Sequence, residues 1–110
     1  MIMQQLPYLA QTATGDTFDI AFPLHTETGD PVKVEQLITV ILKSIDDEIA
    51  VTGPTSNGDV LQAVVMALAI RSGMIHAPLE TSTALAHDLV ETALEAFGRA
   101  TVNRAPSGRA

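Results

Sequence analysis

Residues 17–25 read Thr-Phe-Asp-Ile-Ala-Phe-Pro-Leu-His. Phe18, Ile20, Phe22 and Leu24 alternate with Asp19, Ala21, Pro23 and His25. A period of two with one apolar side is the pattern of a half-buried β-strand. Pro23 has no N–H for a ladder, so the strand is expected at a sheet edge or ending there. A lone strand is unstable in water and needs a mate. The candidates are the segment at 2–9, a short piece around Met74–His76, or the same strand of a second copy. This strand separates an α+β reading from an all-α one with an extended N-terminal arm.

Upstream, residues 1–14 carry Ile2, Met3, Leu6, Tyr8 and Leu9, with Pro7 among them. Pro7 interrupts regular structure, so the segment reads as an extended arm or weak edge strand. It has neither a basic leader nor a continuous apolar run, and no signal peptide is expected.

Downstream, the pattern becomes helical. Thr26 to Pro31 is a turn, with Asp30 as N-cap and Pro31 as the first helical residue. Val34, Leu37, Ile38, Ile41, Leu42, Ile45 and Ile49 then fall within an arc of about 140° at 100° per residue. The spacing predicts a first helix over about 31–50, stopped by Gly53 and Pro54. Ser56 followed by Asp59 reads as a cap with an acid in the first turn. A second helix is expected over about 57–72, ending at Gly73. It is apolar nearly all round, and such a helix must be covered on every side. A third helix is expected over about 80–102, with Leu85, Ala86, Leu89, Val90, Ala93, Leu94 and Phe97 on its apolar face. The expected architecture is therefore α+β and α-rich: a short N-terminal strand or hairpin, then three helices packed as an irregular bundle. One domain over residues 1–104 and a frayed tail over 105–110 complete it.

Composition narrows the function. The chain has 110 residues, 46% of them hydrophobic, and no Cys or Trp. Absent Cys removes disulfide scaffolds, Cys–zinc sites, iron–sulfur clusters and thiol nucleophiles. The formal charge is −7, with 13 acids against 6 Lys and Arg. All of that net charge lies in residues 1–60, while Arg99, Arg104 and Arg109 crowd the tail. A nucleic-acid surface needs a cationic stripe and stacking aromatics, and this chain supplies neither. The longest apolar stretch, Val60 to Ile70, is too short for a bilayer, which needs about 20 residues. A cytoplasmic protein without nucleic-acid or membrane partners is expected.

No motif specifies a reaction, a catalytic residue or a cofactor. The loop Gly53-Pro-Thr-Ser-Asn-Gly58 has the glycine spacing of a phosphate loop, but Asp59 and Val60 replace the Lys and Ser/Thr that phosphate and Mg²⁺ require. It reads as a helix–helix connector. His87, Glu91 and Glu95 recur at four-residue spacing with Asp88 beside them, a donor set suited to a divalent metal. The bland alternative is a solvated face. Asp46, Asp47 and Glu48 end the first helix with the wrong sign for its dipole. They read as a contact surface for a cation or a basic partner, the Arg-bearing tail among them. His25 and His76 read as ordinary histidines of a strand end and a loop. The functional expectation is a non-enzymatic interaction or regulatory module. Its first expected partner is a second copy, met through the strand Phe18–Leu24 or the helix Val60–Ile70, and its second a different protein. A metal-binding or small-molecule domain on the acidic face of the last helix comes next, then an enzyme without a visible motif.

Overall fold

The computed structural model describes residues 4–105. The elements run β1 (Gln5–Gln11), β2 (Thr17–Pro23), α1 (Pro31–Thr52), α2 (Asn57–Gly73), α3 (Leu79–Gly98) and β3 (Thr101–Asn103). The α+β, α-rich architecture is thus present, and the sheet sets aside the all-α alternative. No described helix is long and apolar enough to cross a membrane.

The arm is the strand's mate. β1 and β2 pair antiparallel with Leu6 opposite Phe22, Tyr8 opposite Ile20 and Ala10 opposite Phe18. Those six share one face, because side chains alternate along each strand. Leu6, Tyr8 and Ile20 are buried, whereas Leu9 points the other way and is exposed. Pro7 is accommodated because β1 is an edge strand in the order β1-β2-β3. The hairpin turns through Thr12 to Asp16. The Gly15 N–H donates to the Thr12 carbonyl at 3.0 Å, and Gly15 has φ +94°. A type I turn followed by a left-handed residue is a common three-residue hairpin loop, and glycine takes that φ at least cost.

The strand β2 ends at Pro23, one of its two expected outcomes, and lies at the centre of the sheet rather than at an edge. Pro23 is tolerated because β3 pairs only with Thr17 to Asp19, leaving the proline beyond that ladder. The third helix also ends at Gly98, short of the expected 102. The Arg99 and Ala100 N–H groups donate to the Ala96 and Phe97 carbonyls, tightening the last turn. The chain then enters the sheet as β3, where β-branched Thr101 and Val102 favour extended backbone.

Both expected caps are in place. Asp30 Oδ1 accepts from the Val32 N–H at 3.0 Å and from the Lys33 N–H at 3.4 Å. Ser56 Oγ accepts from the Asp59 N–H at 3.1 Å. Gly53, at φ +96°, follows α1 and donates its N–H to the Ile49 carbonyl at 2.8 Å. Gly73 does not terminate α2 by a left-handed turn. It stays helical, and the Met74 N–H closes the end on the Ile70 and Arg71 carbonyls.

The described residues divide into two compact units, 4–37 with 91–105, and 38–90. The first contains the sheet and the last turns of α3. Its core is Leu6, Tyr8, Ile20 and Leu24 with Ala96 of α3. Phe97 meets Phe18 edge to face at a centroid distance of 5.3 Å, which seats the end of α3 on the sheet. The second unit holds α2 with the adjoining parts of α1 and α3. Among the described residues, α2 makes no extensive contact with α1 or α3 and has no buried residue. The expected tail, beyond Ala105, lies outside the described residues.

Candidate functional site

The dominant surface feature is helical and apolar. Neither α1 nor α2 contains a buried residue. Between Ile38 and Val90, fifteen large apolar side chains stand 38–82% exposed, among them Leu61 at 66% and Ile70 at 63%. Full burial of such a side chain is worth about 1.5–3 kcal/mol, or roughly 60–120 Å² at about 25 cal/mol per Å². Half exposed on average, the fifteen present on the order of 700 Å² of apolar surface.

The sequence makes this surface directly. Ser56 starts α2, Asp59 sits in its first turn and Arg71 in its last, each with the sign the dipole favours. Between those charges the only strongly polar side chain is Gln62. The helix is therefore well formed locally and has no solvent face of its own. The glycine-spaced loop before it is a connector. The Thr55 hydroxyl donates to the Gly53 carbonyl at 3.0 Å, and Ser56 supplies the cap.

The acidic run at the end of α1 is exposed at Asp46, Asp47 and Glu48. Asp47 is engaged by Lys43, one turn earlier, with Nζ to Oδ2 at 2.8 Å. That hydrogen bond, with the charge behind it, raises the Lys43 pKa above its ordinary value. The described part of the Arg-bearing tail goes elsewhere. Arg104 Nη1 donates to Asp16 Oδ2 at 3.1 Å, and the Ala105 N–H donates to Asp16 Oδ1 at 2.7 Å. The Arg104 guanidinium also lies 5.6 Å from the Phe18 ring centroid. His87, Asp88, Glu91 and Glu95 are exposed on α3. Among the described residues, no group of three or more His, Asp or Glu side chains is gathered to hold a metal ion. His25 Nδ1 accepts from the Glu27 N–H at 3.0 Å in the turn after β2.

Sequence reasoning missed the Asp16 contact. It joins residues 88 and 89 positions apart, and no periodicity marks such a pair. The hydrogen bond from the Ala105 backbone, then Arg104, holds the Asp16 carboxyl below its ordinary 3.8. A carboxyl whose folded pKa is depressed contributes stability above its unfolded pKa, and that contribution is lost as pH falls through the folded value. Asp16→Asn is therefore expected to melt below wild type near pH 7. The gap in Tm should narrow as pH is lowered from about 5 to below 3. A gap independent of pH would assign the loss to the hairpin turn rather than to the carboxylate.

Compared with known protein families, with curated proteins and with solved structures, the chain matches none.

Proposed function

We propose that this chain is a non-enzymatic interaction module whose working form is a homodimer built on the apolar helices of residues 38–90. The observation that carries the reading is α2, a charge-poor helix of 17 residues with no buried residue. Leaving it in water forgoes the hydrophobic gain that makes such a sequence worth folding. A second copy is always present at equal concentration and brings the same unsatisfied surface, and most soluble oligomers are symmetric homo-oligomers.

Light scattering coupled to size exclusion tests this. The expected mass is twice 11.6 kDa at micromolar concentration. Tm should rise with protein concentration, because association stabilises the folded state by mass action. An 11.6 kDa species whose melting is independent of concentration up to several hundred micromolar would overturn the reading.

A further inference from the structure

The homodimer reading leaves open how the copies meet, and the order of residues along α2 addresses it. At 100° per residue, Asp59, Val60, Ala63, Ala67, Ile70 and Arg71 lie within an arc of about 120° on one side of the helix. They form three pairs, 59 with 71, 60 with 70, and 63 with 67, each symmetric about position 65. Reversed end for end, this face presents an acid where there was a base, a branched apolar residue where there was another, and alanine where there was alanine. A two-fold interface requires that relation, since residue i meets j and j meets i.

From this, and resting on the homodimer reading above, we infer that two copies pair through α2 in antiparallel register about position 65. Asp59 of each copy then lies beside Arg71 of the other, Val60 packs on Ile70, and Ala63 on Ala67. The charges commit the geometry. Asp59 and Arg71 are the only charged residues of α2, and both are exposed. They stand about 18 Å apart along the axis at 1.5 Å per residue, too far to pair within one helix. Arg71 Nη1 donates within its own chain to Met74 Sδ at 2.9 Å, and a thioether is a weak acceptor that a carboxylate displaces readily. A parallel pairing would set acid on acid and base on base, and like charges in contact across an interface are a penalty. Antiparallel helix dipoles add to the same preference. The two alanines let the backbones cross at the short end of the usual 8–10 Å separation.

Because the chain has no cysteine, disulfide trapping reads the register directly. Ala63→Cys and Ala67→Cys chains are prepared separately, mixed under reduction so that copies exchange, and oxidised. The expected product is predominantly the mixed 63–67 disulfide, since facing positions bring Cα atoms within the ~4.4–6.8 Å that a disulfide spans. Predominant 63–63 and 67–67 products would mean a parallel pair and would overturn the register. A wild-type dimer by light scattering that forms none of these disulfides would place the interface elsewhere, sinking this inference while leaving the homodimer reading intact. A wild-type monomer would sink both. The charge pair gives an independent check. Arg71→Asp is expected to weaken dimerisation about tenfold or more, since two symmetric contacts become repulsive. Combining it with Asp59→Arg should recover affinity to within about threefold of wild type. A double variant no tighter than Arg71→Asp alone would overturn the pairing.

Discussion

A double variant carrying Leu61→Glu and Ile70→Glu is expected to be monomeric under conditions where wild type is dimeric. The two positions lie on opposite sides of α2, at 66% and 63% exposure in the single chain. In that chain neither substitution buries a charge. Glutamate is a good helix former, so α2 should keep its helical content. In the antiparallel pairing the two Ile70→Glu side chains, one per copy, place two carboxylates in an apolar interface, while Leu61→Glu charges the opposite side of the helix. An unpaired charge moved out of water costs several kcal/mol even after relaxation. A loss of at least about a thousandfold in affinity is expected, from about 4 kcal/mol. Sedimentation reads the mass, and fluorescence of Tyr8, the one tyrosine and a core residue of the sheet, reports separately on the first unit. Retention of the dimer mass with both glutamates in place would mean that α2 is not the surface the copies share.

What the sequence reveals of this fold depends on whether the cause is local. Asp30 and Ser56 are legible as caps because each side chain reaches a backbone N–H within three residues. The alternation from Phe18 to Leu24 is legible because one buried face suffices to produce it. β3 is a different case. Three residues carry no usable period, and Thr101 to Asn103 become a strand because Thr17 to Asp19 offer an open edge there. The same applies to the placement of β2 at the sheet centre, which no residue of β2 encodes by itself. Pro23 pointed to an edge or to the strand's end; the strand does end there, and the short reach of β3 lets it be central.

The candidate surface was legible in kind but not in consequence. The near absence of polar residues from Val60 to Ile70 predicts a helix needing cover on all sides. The expectation left two sources of cover open, the neighbouring helices of a bundle and a second copy meeting the helix Val60–Ile70. Among the described residues, no side chain of α2 is buried. Sequence period reports how much apolar surface a helix must hide, while the identity of the covering surface is tertiary or quaternary information. The lopsided charge shows the same limit. An acidic first half and an Arg-bearing tail suggested mutual attraction, but which acid receives Arg104 was decided by the hairpin. It sets Asp16 beside the end of β3, within reach of both the guanidinium and the Ala105 N–H.

Ile20→Ala is expected to be among the most destabilising single substitutions in the first unit, at about 2–4 kcal/mol. Ile20 is 4% exposed, stands opposite Tyr8 and shares the inner face with Phe18 and Phe22. Truncation removes three carbons from a close-packed site and leaves a cavity that the sheet can close only in part. Its place on the central strand prevents relaxation by a simple outward shift, because β2 is held by β1 over seven residue pairs and by β3 over three. Leu9→Ala is the control. It removes the same number of carbons from the same sheet, but at 69% exposure it should cost within about 0.5 kcal/mol. Denaturant unfolding followed by Tyr8 fluorescence compares the two. Equal costs would mean that the face bearing Leu6, Tyr8 and Ile20 is not the core of the unit. The expected inequality has a further consequence for the tail. Asp16 is oriented by the hairpin that Ile20 and Tyr8 hold together, so loosening that pair should also loosen the grip on Arg104. In the Ile20→Ala background, Asp16→Asn should therefore cost less than it does in wild type, the mark of residues acting through a shared structure. Strictly additive costs would show that the hairpin turn and its carboxylate are fixed independently of the strands that carry them.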